Sequence, residues 1–236
     1  MDLRNDQSID TLPDHIEILW LPMIYNNKPI NKYPNSLKKI YYNVFFDSQI
    51  SNLPNSVTEI YLSCDMNYEI DFPPFLKFIR FRHEYDYPLD NLPDTVETLF
   101  LPTYYSFKIN NFPKSLKIID FGTNYNFNID NLPDSVETII LGYYFNRKIN
   151  KFPASLKKIS FDDKFNQDIN HLPDSVEEIT IYSQYDCPIE KFPSSLKKIN
   201  ISLSFKSSLN NLPLNVLVNK TKFHADIYWQ NENDNN

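Results

Sequence analysis

Side chains that could act as catalytic groups are few in this sequence, and their spacing pairs none of them. No serine or cysteine recurs at a distance that would place a nucleophile beside a base. Asp162 and Asp163 are adjacent carboxylates, but neighbours in a strand or turn point apart, which does not suit a metal site or an acid–base pair. The four histidines fall at unrelated positions: His15, His83, His171 and His224. The sequence therefore predicts no enzymatic activity.

Cofactor sites are equally unsupported. The chain has only 2 glycines, which excludes the Gly-rich phosphate loops and dinucleotide fingerprints that need close backbone approach. Cys64 and Cys187 lie far apart and form no Cys-x-x-Cys or Cys/His cluster, so they predict reduced thiols rather than a disulfide or a zinc site. We expect no cofactor, no metal and no small-molecule substrate.

Charge and hydropathy restrict the classes of partner and the cellular location that we expect for this protein. The net charge of -7 disfavours nucleic-acid binding, and the 23 Lys and Arg residues are spread along the chain. The start "MDLRNDQSID" has no apolar core of a signal peptide, and no apolar run is long enough to cross a membrane. We expect a cytoplasmic protein, in the host cytoplasm if it is viral.

A repeat defines the elements that must carry any site. In the unit that begins at Val136, apolar residues follow the spacing L-x-x-L-x-L of a leucine-rich-repeat strand, and then an aromatic residue, Ile149 and Phe152 follow. The units are nearly equal in length, and only the first and third differ from the others, by one residue each. An apolar–Pro pair recurs once in each unit, at Leu12, Tyr33, Leu53, Phe72, Leu92, Phe112, Leu132, Phe152, Leu172, Phe192 and Leu212.

This spacing predicts a β-rich solenoid. Ile139 and Leu141 lie two residues apart, as in a strand with one buried face. A unit of about 20 residues is too short for a strand, two turns and a full helix, and the proline opposes a helix on the return path. We therefore predict a right-handed, leucine-rich-repeat-like coil with one parallel sheet and little helix. Its ten strands are centred on Leu19, Ile40, Ile60, Ile79, Leu99, Ile119, Ile139, Ile159, Ile179 and Ile199.

Two polar patterns follow the repeat. The residue after the aromatic is Asn126, Asn146 and Asn166 in successive units, and we predict that these side chains point inward and bond backbone. The alternative is a solvent-facing turn residue. Charges alternate from one unit to the next, so that each Glu lies between two Lys and fixes the strand register. This row is Glu97, Lys117, Glu137, Lys157, Glu177 and Lys197.

The pattern F-N-x-x-I-x-x-[LF]-P-x-S-[LV]-x-x-[IL] resembles the FNIP repeat family, leucine-rich-repeat relatives of amoebae and giant viruses. The segments "YDYPLDNLPDTVETL" and "YDCPIEKFPSSLKKI" are similar to the family pattern, and the resemblance covers residues 12–212. It implies a substrate-recognition arm, which in some family members accompanies an F-box that connects to a ubiquitin ligase. The segment before Leu12 is far shorter than an F-box, so we expect no F-box in this chain.

The expected organisation has four parts. Residues 1–11 form an N-terminal cap segment, residues 12–212 the solenoid of ten repeats, residues 213–229 a C-terminal cap, and residues 230–236 a disordered tail. Asn219 and Thr221 replace apolar strand residues, and "KFHADIYW" supplies apolar surface to close the core.

The outward face of the strands carries the candidate site. Its first seven strands present aromatic, β-branched and Arg residues, whereas the last three present Lys, Glu, Ser, Thr and Asn. Exposed aromatic and Arg side chains anchor interfaces, although strand propensity alone also favours them. The candidate protein-binding residues are Ile18, Trp20, Tyr41, Tyr61, Phe78, Arg80, Phe100, Ile118 and Ile140.

The predicted function is a non-enzymatic protein–protein interaction module that uses this concave face. Its partner is either an unidentified protein or a second copy of the chain. One alternative is a structural or self-associating repeat protein, and another is the recognition arm of a ubiquitin-ligase adaptor that lacks its own F-box. A hydrolase acting on a polymer along the solenoid would need repeated outward carboxylates, and Glu59, Asp120 and Glu178 are too scattered for that.

Overall fold

Stacked coils build one parallel sheet. The computed structural model describes residues 9–21, 30–42, 50–63, 68–82, 84–85, 87–182 and 185–221. Within them, eleven strands lie side by side in chain order, and every neighbouring pair is parallel. Each coil thus adds one strand and returns to add the next. The predicted β-solenoid with a single parallel sheet is confirmed.

The strands are short, because each coil must turn away from the sheet after one apolar pair. A 3₁₀ helix at Ile9–Thr11 is the one helical segment within the described ranges, as the proline in each return path predicts. The strands are β1 Ile18–Trp20, β2 Lys39–Tyr42, β3 Glu59–Leu62, β4 Phe78–Phe81, β5 Thr98–Phe100, β6 Ile118–Asp120, β7 Thr138–Ile140, β8 Lys158–Phe161, β9 Glu178–Ile181, β10 Lys198–Ser202 and β11 Leu217–Thr221.

The central residues of the strands form one buried column. All ten predicted centres, from Leu19 to Ile199, pair with one another in sequence, and none is more than 1% exposed. The alternation of side chains along each strand sends the flanking residues to the opposite, outward face. The period of two in the sequence therefore determines both faces of the sheet.

The prediction of ten strands is wrong by one. β11 lies inside the segment 213–229 that was assigned to a C-terminal cap. Ile199 pairs with Val218, so the last coil is one residue shorter and its inward position falls at 218 instead of 219. Backbone hydrogen bonds to β10 hold this strand although most of its residues are exposed. Residues 1–8, 222–229 and the tail 230–236 lie outside the described residues.

A column of aromatic rings fills the coils behind the sheet. Tyr105 and Tyr125 have ring centroids 6.3 Å apart and planes within 8° of parallel. Phe145, Phe165 and Tyr185 continue the column with centroid separations of 6.3 and 6.4 Å. All five residues are at most 1% exposed, so the repeated aromatic residue of the sequence is a core residue. Its size sets the thickness of each coil.

The tyrosines of this column differ in how their hydroxyl groups are satisfied. The Tyr125 hydroxyl accepts a hydrogen bond from the backbone N–H of Ile109 in the preceding coil, at 3.3 Å. The corresponding contact of the buried Tyr105 hydroxyl, with the backbone of Leu89, is weaker and falls outside normal hydrogen-bond geometry. Burial raises the pKa of both hydroxyl groups, which are therefore neutral.

We expect opposite effects from removing these two hydroxyl groups. Tyr105→Phe should leave stability unchanged or raise it by up to about 1 kcal/mol, because the weak contact with the Leu89 backbone does not compensate for burial of the hydroxyl. Tyr125→Phe should lower stability by about 1 kcal/mol, because it leaves the Ile109 N–H unsatisfied. Urea unfolding of the two variants measures the difference, and each serves as the control for the other. Equal losses in both would contradict the assignment.

Polar side chains join each coil to its neighbours. Asp134 accepts a hydrogen bond from the N–H of Ala154 in the next coil at 3.3 Å. Ser135 donates to the carbonyls of Leu116 and Lys114 in the preceding coil, at 2.8 and 2.9 Å. An Asp followed by Ser or Thr thus bridges both neighbours, which explains why the motif is needed only in every second coil. The same pair recurs at Asp94 with Thr95 and at Asp174 with Ser175.

The asparagine row bonds backbone, but it does not point inward. Asn126 accepts a hydrogen bond from the N–H of Asn146 at 3.1 Å, and Asn146 accepts one from Asn166 at 3.0 Å. Asn146 and Asn166 are nevertheless exposed, and Asn126 is half-buried. The preceding aromatic ring occupies the interior, so the asparagine reaches the next coil along the surface. The predicted inward orientation is wrong, and the predicted backbone bonding is confirmed.

The alternating Glu and Lys residues form ion pairs between coils. Lys117 lies 2.7 Å from Glu97, and Lys157 lies 2.7 Å from Glu137. Glu97 also lies 3.7 Å from Lys77 on its other side, as the register argument requires. These side chains are largely exposed, so screening keeps each pair weak. A slip by one coil would place like charges together, which makes the row a determinant of register.

Candidate protein-binding face

Two rows of side chains cover the outward face of the sheet. Strand pairing places each predicted site residue in one of them. The first row is Ile18, Lys39, Glu59, Phe78, Thr98, Ile118, Thr138, Lys158, Glu178, Lys198 and Leu217. The second row is Trp20, Tyr41, Tyr61, Arg80, Phe100, Asp120, Ile140, Ser160, Thr180, Asn200 and Asn219.

Five aromatic rings on β1–β5 form one continuous stack, here called the aromatic stack. Trp20 and Tyr41 have ring centroids 3.4 Å apart and planes within 5°. Tyr41 and Tyr61 follow at 4.4 Å, and Tyr61 and Phe78 at 4.7 Å. Phe78 and Phe100 end the series at 5.7 Å with tilted planes. The spacing follows from the rung distance of a parallel sheet, about 4.8 Å, which is close to that of stacked rings.

Two cations lie against the aromatic stack. The Lys39 Nζ is 4.7 Å from the ring centroid of Tyr61 and forms an ion pair of 3.0 Å with Glu59. Burial lowers the pKa of Lys39, but hydrogen bonds to Tyr41, Glu59 and Tyr61 offset this and leave the pKa above its usual range. Lys39 is therefore fully charged. Sequence reasoning missed it because a lone lysine in a repeat gives no signal.

Arg80 provides the second cation. Its guanidinium carbon lies 4.0 Å from the ring centroid of Phe100, which is a cation–π contact. Arg80 is half-buried between neighbouring strands, so the contact is less screened than one in open water. An oriented guanidinium beside aromatic rings has the donor geometry that binds carboxylates and backbone carbonyls.

The orientation of the rings determines what this surface can bind. Because the rings stack on one another, their faces are covered and their edges point outward. Sugars and nucleobases stack on open ring faces, so the aromatic stack offers them little. Ring edges and tyrosine hydroxyl groups suit the apolar and polar groups of a protein surface. Ile18 and Trp20 at the first strand are the most open, at 45% and 46%.

The face of the last strands is a polar network. Glu178 pairs with Lys198 at 2.8 Å and accepts a hydrogen bond from the Asn200 side chain at 2.9 Å. Asn200 also donates to Thr180 at 3.0 Å, and Asn219 donates to Asn200 at 3.0 Å. These side chains satisfy one another's hydrogen bonds and charges, so this half of the face does not need a binding partner to do so. The contrast between the two halves seen in the sequence is present in the structure.

Asp120 lies between the two halves. It follows Phe100 in the second row and precedes Ile140. The residue is partly open to solvent, but protein atoms surround the carboxyl, and this burial raises its pKa to about 6. The N–H of Gly122 donates to it at 2.9 Å, which limits the shift. A single carboxyl with a raised pKa is poised to change charge near neutral pH.

The other groups with chemical potential lie apart from one another. Asp162 accepts a hydrogen bond from the N–H of Asp163 and shapes a turn, and the His171 side chain bonds the Ile149 carbonyl. Burial raises the pKa of the Cys187 thiol, which keeps it protonated. No group of His, Cys, Asp and Glu in the described part of the chain could hold a metal ion. His83, His224 and Cys64 lie outside it.

The three outward carboxylates considered for a hydrolase are not brought together. Glu59, Asp120 and Glu178 lie on β3, β6 and β9, so each successive pair is three strands apart. At about 4.8 Å per strand their separation is about 14 Å, well beyond that of paired catalytic carboxylates. Glu59 and Glu178 are both in ion pairs with lysine.

Comparisons with known proteins agree with this architecture. The family model described as FNIP Repeat matches residues 106–144 and 145–184. The two matches cover 79 of the 236 residues, so this part of the chain is similar to FNIP repeats. The resemblance predicted from the F-N-x-x-I pattern is confirmed, and each match spans two coils, which is the period set by the alternating Asp–Ser and Lys-rich coils. A search of curated protein sequences found no significant match.

Solved structures of leucine-rich-repeat proteins have the same fold as this chain. The crystal structure of CroV588, described as a novel circular LRR protein, aligns with a TM-score of 0.77 and 27% identity over 89% of this chain. YopM from Yersinia enterocolitica WA-314 aligns with a TM-score of 0.63 and 17% identity, also over 89% of this chain. The chain spans 34% of the CroV588 protein and 52% of YopM. The fold is therefore that of a leucine-rich repeat.

One further structural finding concerns membranes. Among the described residues, no helix has the length and apolar character needed to cross a bilayer.

Proposed function

We propose that this solenoid forms a non-enzymatic protein-binding module, and that the aromatic stack with Lys39 and Arg80 is its binding surface. The observation that carries the proposal is a rigid series of five rings on the open side of the sheet. Aromatic and arginine side chains dominate the energy of protein interfaces. Because the rings hold one another in place, binding costs little side-chain entropy. Leucine-rich-repeat folds commonly serve protein interaction, which supports the same conclusion.

The chemistry of the surface describes the partner. The ring edges and the exposed Ile18 complement an apolar patch on the partner, and Lys39 and Arg80 add positive charge beside them. We infer a protein surface that presents apolar groups next to an acceptor such as a carboxylate. A second copy of the chain is the alternative occupant, which the exposure of Ile18 and Trp20 at the first strand favours.

Replacing Trp20, Tyr61 and Phe100 together with Ser tests the proposal. We expect partner recovery from a cell lysate to fall by more than about thirtyfold, because each anchor contributes about 2 kcal/mol or more at a well-packed interface. The solenoid should remain folded, since all three side chains lie on the outward face. Quantitative pull-down and circular dichroism measure the two outcomes.

A matched control uses exposed aromatic residues away from the sheet face. Phe75, Tyr104 and Tyr144 are 59%, 59% and 52% exposed, and their replacement with Ser should leave partner recovery unchanged. Equal recovery by both triple variants would refute the assignment of the face. Sedimentation of the purified chain over a range of concentrations separates the two occupants. Association that the sheet-face variant loses identifies a second copy, and a monomer identifies a different protein.

A further inference from the structure

A cationic groove lies on the return path of the coils, apart from the sheet face. It has a volume of about 420 Å³ and falls between the buried aromatic and the buried Ile of three successive coils. Its lining is Lys108, Asn126, Phe127, Asn128, Arg147 and Lys148. Three of these six residues are cations and none is an acid, in a chain whose net charge is -7. Such a local excess of positive charge requires an explanation.

The cations of the groove differ in their partners from Lys151 and Lys191, which lie elsewhere on the coils. Lys151 forms an ion pair with Asp134 at 3.5 Å, and Lys191 forms one with Asp174 at 3.8 Å. Within the ranges that the structure describes, Lys108, Arg147 and Lys148 form no ion pair with any carboxylate. Lys108 still acts on Asp90: burial raises the pKa of that carboxyl, but hydrogen bonds from Asn110 and Asn111 and the nearby charge of Lys108 lower it overall. The charges of Arg147 and Lys148 are available to a ligand, and that of Lys108 is shared with Asp90.

The groove also holds its polar groups in place. The Arg147 Nε donates to the backbone carbonyl of Asn126 at 3.0 Å, which anchors the guanidinium and leaves its terminal nitrogens for a ligand. The Asn128 side chain donates to Asp130 at 2.8 Å and accepts the Asp130 N–H at 2.8 Å. A fixed guanidinium loses less freedom on binding than a mobile one.

We propose that this groove binds a phosphate group. Arg147 presents the planar fork that matches two phosphate oxygens, and Lys108 and Lys148 add point charges on either side. The two lysines lie two coils apart on the side of the solenoid where the buried rings of adjacent coils are 6.3 Å apart, so their flexible side chains must extend toward each other to meet on one anion between them. Asp90 and Asp130 lie near the groove. Their carboxylates accept hydrogen bonds from the N–H groups of Asn110 and Asn150, so both carboxylates are engaged in contacts between coils.

The site is independent of the sheet face, so the triple variant of the aromatic stack should bind phosphate normally. The ligand is either free phosphate or a phosphomonoester carried by a protein. Both present the same dianionic group, and the two sources differ only in the atoms that surround it.

Titration of the ¹⁵N-labelled full chain with inorganic phosphate at constant ionic strength tests the site. We expect saturable shifts of the amide signals of residues 126–128 and 147, with a dissociation constant of about 1 mM. Lys108→Gln with Lys148→Gln should weaken binding about tenfold, because two charges that contact the ligand are lost. A parallel titration with a phosphoserine peptide distinguishes the sources: tighter binding of the peptide identifies a phosphoprotein, and equal binding identifies free phosphate.

A charge-matched control excludes a general effect of net charge. Lys114→Gln with Lys151→Gln removes two lysines that already form ion pairs with Asp94 and Asp134. This variant should keep the affinity within about twofold. The absence of saturable shifts at the groove, or equal weakening in both double variants, would overturn the proposal. Chloride at the same ionic strength should produce no saturable shift.

Discussion

Gly142→Ala is expected to destabilise the solenoid by about 3 kcal/mol or more. A Cβ at this position would lie 1.4 Å from the carbonyl oxygen of Gly122 in the preceding coil. The obstacle is backbone, which cannot rotate away as a side chain does. Two coils would have to separate locally, and the core rows that they share would lose contact. Urea unfolding monitored by circular dichroism measures the loss.

The two glycines of the chain occupy equivalent positions in adjacent coils. Gly122 has a φ of 62°, where a side chain is strained, and its own Cβ would lie 2.3 Å from the Pro102 carbonyl oxygen. Asn124→Ala is the control, because Asn124 lies exposed in the same turn, and its replacement should change stability by less than about 0.5 kcal/mol. A Gly142→Ala variant as stable as this control would show that the turn can relax.

Asp120→Asn is expected to stabilise the protein at pH 7.5 by about 1–3 kcal/mol, with no gain at pH 4. Burial raises the pKa of the Asp120 carboxyl to about 6, above its value of 3.8 in the unfolded chain. The folded state therefore binds the proton more tightly, and stability falls as pH rises from about 4 through about 6. Above this window the ionised group is a cost that the neutral amide removes.

The pH dependence distinguishes this effect from improved packing. The asparagine side-chain oxygen can still accept the hydrogen bond from the Gly122 N–H, so the turn should be retained. Thermal unfolding of both proteins from pH 4 to pH 8 should give curves that meet at low pH and separate above about pH 5. Asn124→Ala, which changes no titratable group, should follow the parent at every pH. A constant difference at all pH values would contradict the titration of Asp120.

The same residue gives the binding face a dependence on pH. Asp120 lies next to Phe100 at the end of the aromatic stack, and its charge interacts with that of Arg80. Ionisation near pH 6 therefore changes the charge at one boundary of the proposed surface. A partner with a carboxylate at this position would bind more tightly when Asp120 is protonated.

The sequence alone determined the coil and its core. A period of about 20 residues, an apolar pair two residues apart and a proline in each return path leave few structures other than a stack of parallel strands. The ten strand centres follow from this, because burial of every second residue is a local property of a strand. The prediction of the strand centres is strong because the same pattern of residues occurs in every coil.

Contacts between coils were decided only by the tertiary structure. The sequence marks Asn126, Asn146 and Asn166 as a row, but their outward direction depends on the ring that fills the interior. β11 was missed because its inward position is shifted by one residue, and pairing with β10 fixes that shift. The direction of the asparagines and the register of β11 both depend on contacts with an adjacent coil. The residue spacing within one unit contains no information about those contacts.

The candidate site shows the same division. The alternation along β1–β5 predicted that Trp20, Tyr41, Tyr61 and Phe100 share the outward face. The tertiary structure decided that their rings stack with covered faces, that Lys39 joins them, and that Asp120 is surrounded by protein. Side-chain direction is set within a strand, whereas ring orientation, ion pairing and desolvation are set by the neighbouring strands, about 4.8 Å away in space and one whole repeat away in sequence.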